Sequence, residues 1–139
     1  PTVFAEAYFS VSHRNVLRGL HFQTPPMDHE KIVYCTEGEV LDAVVDLRCS
    51  SPTYGQHIVI PLRASEGTML YIPRGMAHGF CTHSDNTVMM YHVTSVYAPA
   101  FDAGIRWDSA GIPWEIEDPV ISERDMSFPT LTDFVSPFE

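Results

Sequence analysis

The stretch Glu39-Val40-Leu41-Asp42-Ala43-Val44-Val45-Asp46-Leu47-Arg48 alternates with period two. Leu41, Ala43, Val45 and Leu47 share one face, and Val40, Asp42, Val44, Asp46 and Arg48 share the other, as in a strand with one buried face. His57–Leu62 repeats the pattern, and further strands are expected at Gly67–Ile72, Thr87–Ser95, Glu30–Thr36, Val16–Gln23 and near Phe4–Phe9. Turn clusters separate them: Glu37-Gly38, Ser50 to Gly55, Ser65-Glu66-Gly67, Pro73-Arg74-Gly75 and Ser84-Asp85-Asn86. No window carries the apolar spacing of an amphipathic helix. Short strands at regular spacing indicate an all-β sandwich or barrel. Past Ala98 only short pieces are expected, around Gly104–Trp107 and Pro113–Glu117, before a loop-rich C-terminal tail, Asp118–Glu139, that lies over the barrel.

The bulk numbers fit one domain spanning residues 1–139. Hydrophobic residues make up 45% and charged residues 19%, an ordinary globular composition rather than a disordered one. Eleven prolines and eight glycines suit many short strands better than long helices. Eight basic against eighteen acidic residues leave a net charge of −10, which excludes the basic stripe that nucleic acid demands. An anionic small ligand would need a site built locally from Arg18, Lys31, Arg48 or Arg106. Cys35, Cys49 and Cys81 are odd in number and widely spaced, as expected of a protein of the reducing cytoplasm. No apolar run reaches membrane length. Pro1-Thr2-Val3-Phe4 has no features of a secretory signal, and with no initiator methionine, further residues are expected upstream.

The segment Arg18-Gly19-Leu20-His21-Phe22-Gln23-Thr24-Pro25-Pro26 reads as a strand running into a proline-stiffened turn. His21, between Leu20 and Phe22, has two readings: a core histidine satisfied by a carbonyl, or a general base in an apolar pocket. His29 reads as a solvated turn histidine rather than a stray metal ligand.

Gly67 to His78 spells glycine, five residues, proline, one residue, glycine, two residues, histidine. This resembles the second signature of the cupin (double-stranded β-helix, jelly-roll) superfamily. Pro73 and Gly75 would close a tight turn that returns the next strand into the barrel mouth, with His78 facing inward. Metal-binding cupins also carry a first signature of two histidines and a glutamate. Counted back from Gly38, the glutamate position holds Lys31, and the histidine positions fall on Thr24 to Met27. A lysine there would repel a divalent cation, so no metal centre is expected.

Along nearly its whole length the chain resembles the dTDP-4-dehydrorhamnose 3,5-epimerases, metal-free cupins of sugar-nucleotide metabolism. The resemblance rests on Val16 to Gln23 with Pro25-Pro26, then Lys31, Gly38-Glu39-Val40 through Arg48, and Ser51 to Gly55. It continues through Ile72-Pro73, Gly75 with Ala77 to Phe80, Tyr91, Tyr97-Ala98-Pro99, Gly104 to Asp108 and Ser122 to Asp125. It implies that His21 is the catalytic base and Asp125 its carboxylate partner. Tyr91 would be the proton donor on the opposite face of the sugar, and Lys31 the cation beside the enolate oxygen. Arg18 would contact phosphate and Tyr97 line the nucleotide or sugar site, with Gln23, His78 and Arg48 as further substrate-binding positions. No cofactor is implied. Read from the residues alone, Asp125 is a solvated tail acid, Tyr91 a packing residue beside Met89 and Val93, and Lys31 the guard of an edge strand.

The implied substrate is a nucleotide-diphosphate 4-keto-6-deoxy sugar, and the implied assembly a homodimer through edge strands. A ketone at C4 acidifies C3–H and C5–H because the carbanion delocalises into an enolate. Strict alternation puts Arg18 and His21 on opposite faces, so a shared site requires a bulge at Gly19. Glu6 and Tyr8 stand where the family usually has glutamine and asparagine. The N-terminal segment by which members reach the partner's nucleotide would precede Pro1, and the tail is short. These departures leave open the nucleotide, inversion at one centre only, a 3,4-keto-isomerase, and a sugar-binding cupin without catalysis.

Overall fold

The computed structural model describes residues 1–139. Nine strands form: β1 (Glu6–Ser12), β2 (Leu17–Gln23), β3 (Lys31–Glu37), β4 (Glu39–Asp46), β5 (His57–Arg63), β6 (Met69–Ile72), β7 (Met76–Thr82), β8 (Thr87–Val93) and β9 (Asp102–Gly104). They build two sheets, ordered β1-β8-β3-β6 and β5-β4-β7-β2-β9, with every pairing antiparallel. This is a jelly-roll barrel of the cupin type. No helix is long and apolar enough to cross a membrane.

The inner faces meet in a core of Val33, Val40, Val44, Leu62, Ile72, Phe80, Met89 and Tyr91. A second core lies outside the five-stranded sheet, where Leu20, Phe22, Ala43, Val45 and Leu47 pack against Ile105, Ile112 and Phe138 from the tail. The expectation of one buried face for β4 is therefore corrected: the tail covers its other face, and all but its first residue are buried. Phe138 is 5% exposed, and burying such a ring contributes roughly 1.5–3 kcal/mol towards holding the tail down.

Two elements differ from the sequence reading. Gly67 takes φ +66°, so the turn consumes two positions and β6 starts only at Met69. A one-turn helix, α1 (Glu123–Met126), interrupts the tail. It is too short to show a helical period. Ser122 caps it, its hydroxyl accepting the Asp125 N–H at 3.1 Å.

The bulge required at Gly19 is present. Arg18 pairs with Phe80 and His21 with His78, so Gly19 and Leu20 together stand opposite the single Gly79. The extra residue rotates the strand, and Arg18 and His21 reach the same cavity. Close backbone approach makes both glycines necessary. A Cβ on Gly19 would lie 2.7 Å from the Gly79 Cα, and one on Gly79 would lie 2.6 Å from the Arg18 carbonyl oxygen.

Candidate active site

A cavity of about 380 Å³ opens between the two sheets. β2 and β7 of one sheet supply Arg18, His21 and His78, and β1, β3 and β8 of the other supply Tyr8, Ser10, Lys31 and Tyr91. His21 and His78 are directly opposite one another on neighbouring strands.

His21 Nε2 lies 2.7 Å from Asp125 Oδ1, and the second carboxylate oxygen accepts the Gly19 N–H at 3.0 Å. With Nε2–H donated to Asp125, the lone pair rests on Nδ1. Burial works against the Asp125 charge. The hydrogen bond and charge of His21, with the Gly19 N–H, outweigh it and hold the carboxyl below its usual range. α1 positions this carboxylate, and Phe128 just beyond packs its ring edge-on against His21 at 5.7 Å. Asp125 is 4% exposed, so the reading of a solvated tail acid fails.

His78 forms a second pair, its Nε2 lying 2.8 Å from Asp42 Oδ2. Asp42 stands opposite Phe80, which makes His78 its diagonal neighbour on the same sheet face. Burial, only partly offset by Asp42, lowers the His78 pKa, while burial raises that of Asp42. Sequence reasoning left Asp42 out. It is one of three carboxylates on β4, with Glu39 and Asp46, and alternation alone does not single it out.

Tyr91 is buried, and burial raises the pKa of its phenol, which keeps it protonated. Its oxygen lies 2.9 Å from Ser10 Oγ, and its ring stacks on Tyr8 with centroids 4.6 Å apart. Burial, with Glu6 and Asp102, pushes the Tyr8 phenol up to about 12. The Tyr91 ring meets the His78 ring edge-on at 6.5 Å, across the gap between the sheets. Lys31 is 6% exposed, so it does not guard an exposed edge. Burial lowers its pKa to about 8, against the pull of Asp42 and Asp102.

Arg18 lines the cavity with its Nε donating to Ser12 Oγ at 2.9 Å. Tyr97 lies at the mouth, 60% exposed, its backbone N–H donating to Glu6 Oε2. Gln23 also touches the cavity, but its Nε2 donates to the Met27 and Val96 carbonyls and its Oε1 accepts the Ala98 N–H. It lines the cavity while its amide fastens the loops around it. Arg48, expected in substrate binding, lies outside the cavity and holds Asp46 through Nε and Nη2, each at 3.0 Å. Arg106 likewise pairs with Asp108 outside it. His29 is not a solvated turn residue: it lines the cavity with both ring nitrogens shielded from solvent.

The family model for dTDP-4-dehydrorhamnose 3,5-epimerase matches residues 1–133. A dTDP-4-dehydrorhamnose 3,5-epimerase of Shigella flexneri is 40% identical over 126 residues, covering 89% of this chain and 70% of its own. The Legionella pneumophila 3,5-epimerase, solved with dTDP-4-keto-L-rhamnose, superposes with a TM-score of 0.94 at 32% identity, covering 99% of this chain and 76% of its own. A 3'-monoepimerase of Streptomyces bikiniensis, solved with dTDP-quinovose, gives a TM-score of 0.87 at 36% identity, covering 93% of this chain and 67% of its own.

Proposed function

Because the chain belongs to the dTDP-4-dehydrorhamnose 3,5-epimerase family, we propose that it is an isomerase of deoxysugar biosynthesis. In this reading it inverts C3 and C5 of a dTDP-linked 4-keto-6-deoxyhexose. The observation that carries the proposal is the pairing of opposite walls. A carboxylate-held imidazole comes from one sheet and a protonated phenol from the other, across one cavity.

The chemistry follows from the groups. His21 Nδ1 removes the proton from C3, the C–H electron pair delocalises onto O4, and the Lys31 ammonium stabilises the enolate that forms. Tyr91 returns a proton to the other face; His21 then releases its proton to water, Tyr91 regains one from water, and the same cycle at C5 completes the double inversion. A positioned base of this kind is worth on the order of 10²–10⁴ in rate. The protonated Lys31 beside O4 is the larger electrostatic aid, because it meets charge that exists only after proton removal. Arg18 and Tyr97 would hold the nucleotide end at the mouth. Every step moves only protons and their electron pairs, so the cycle leaves the substrate's oxidation level unchanged.

A homodimer fits this reading. The outer face of the four-stranded sheet carries Phe9, Val11, Met69 and Tyr71, each more than half exposed, with Tyr34 and Met90 between them in register. An aromatic and apolar sheet face of this extent suits a second copy better than water. The three free cysteines suit a reducing cytoplasm.

Incubation with dTDP-4-keto-6-deoxyglucose in D₂O, read by proton NMR, tests the proposal. Deuterium at C3 and C5 of an inverted product is expected. Deuterium at C3 alone would support a monoepimerase, the activity named for the Streptomyces relative. Deuterium at neither centre would overturn the reading.

A further inference from the structure

His29 lies in the loop between β2 and β3, two residues before Lys31. The loop is fastened on both sides of it. The Glu30 N–H donates to Thr94 Oγ1 at 2.9 Å, the Thr94 N–H donates to the Glu30 carbonyl at 3.1 Å, and the Ser95 hydroxyl donates to the Asp28 carbonyl at 3.2 Å. The ring is thereby set against the wall of the cavity.

Both nitrogens of that ring are buried, and neither has a hydrogen-bond partner. Buried polar groups in folded proteins are normally satisfied, so such an orphan pair marks something the protein alone does not supply. Several other cavity groups already have partners: His21 with Asp125, His78 with Asp42, Tyr91 with Ser10 and Gln23 with backbone. Burial, reinforced by the neighbouring Lys31, lowers the His29 pKa to about 4; the Ser95 backbone opposes this without satisfying either nitrogen. The ring is therefore neutral at pH 7. A neutral imidazole offers one donor and one acceptor, which complements a hydroxyl and gives an anion no charge to bind.

We propose that His29 is a specificity residue that hydrogen-bonds a ring hydroxyl of the hexose, leaving the diphosphate to other groups. This rests on the epimerase reading of the same cavity. With C4 a ketone and C6 deoxygenated, the free hydroxyls are those on C2 and C3. Because the proposed mechanism sets Lys31, two residues on, beside O4, His29 sorts substrates by their oxygenation beside the reacting centre.

Calorimetry and turnover separate the two ideas. The ligands are dTDP, dTDP-4-keto-6-deoxyglucose and its 2-deoxy and 3-deoxy analogues, tested on wild type, His29→Leu and His29→Gln. For His29→Leu, affinity and kcat/KM for the parent sugar should fall about tenfold, the worth of one hydrogen bond. The preference for the parent over one deoxy analogue should collapse, and dTDP affinity should stay within twofold. His29→Gln, which keeps a donor and an acceptor, should restore most of the preference. A His29→Leu variant that keeps the full preference, or loses dTDP and parent sugar equally, overturns the proposal. A wild type that binds the sugar with His29-dependent preference but never turns it over overturns the epimerase reading and leaves this one standing. A wild type that binds the dTDP-sugar no better than dTDP overturns both.

Discussion

His21 and Asp125 are 104 residues apart in the chain and 2.7 Å apart in space. The contact joins the barrel to its tail, because the same carboxylate also accepts the Gly19 N–H at the bulge. Asp125→Asn should therefore reduce kcat by about 10²–10⁴, the contribution of a well-set base, with a smaller change in KM. Steady-state kinetics on the variant check this.

The same carboxyl gives a stability prediction. Its folded pKa lies below its ordinary value of 3.8. Between the two, the native state binds fewer protons than the unfolded chain, so this stabilisation is present above about pH 4 and lost as pH falls further. Denaturant melts between pH 5 and 2 should show a shallower acid loss in Asp125→Asn than in wild type. Equal slopes would detach Asp125 from the acid transition.

Lys31 sets the alkaline side. Its pKa is lowered to about 8, and in the proposed mechanism only the ammonium stabilises the enolate. Activity should fall as pH rises through about 8. Lys31→Arg, which stays charged, should move that limb upward even at reduced kcat. A pH–rate profile of kcat/KM unmoved by this substitution would remove Lys31 from the alkaline limb.

Gly19→Ala should destabilise the fold by about 1–3 kcal/mol, the cost of forcing atoms into a packed core. The added methyl meets backbone at 2.7 Å, and Gly19 takes φ +131°, which side chains rarely adopt. Thermal melting measures the loss. An unchanged melting temperature would mean that the strand crossing relaxes freely.

Arg48→Ala should lower stability and leave KM for the nucleotide sugar within twofold. The guanidinium holds Asp46 at 3.0 Å outside the cavity. A KM increase of tenfold would restore Arg48 to substrate binding.

Much of this architecture was legible in the chain. Alternation in residues 39–46 and 57–62 revealed the strands, because a period of two survives wherever apolar and polar positions take turns. It misled on β4, where the tail buries the second face. No local pattern reveals a cover that arrives from residues 105–138. The conflict between Arg18 and His21 foretold the bulge, since a broken period must be absorbed somewhere. Asp42 and His29 were illegible for a different reason. What singles them out is a partner gained across strands in one case and partners withheld in the other, and neither is a property of spacing. Gln23 and Arg48 show that residue type suggests what a side chain can bind but not whether neighbours have already claimed it.

The central claim is that base and acid work from opposite walls. Wash-in of deuterium at C3, followed by NMR alongside product inversion in wild type, His21→Ala and Tyr91→Phe, tests it most directly. Wild type should exchange and invert, and His21→Ala should do neither. Tyr91→Phe should still exchange C3 while inverting at least about a hundredfold more slowly. Inversion by Tyr91→Phe at the wild-type rate, or exchange by His21→Ala at the wild-type rate, would contradict the account.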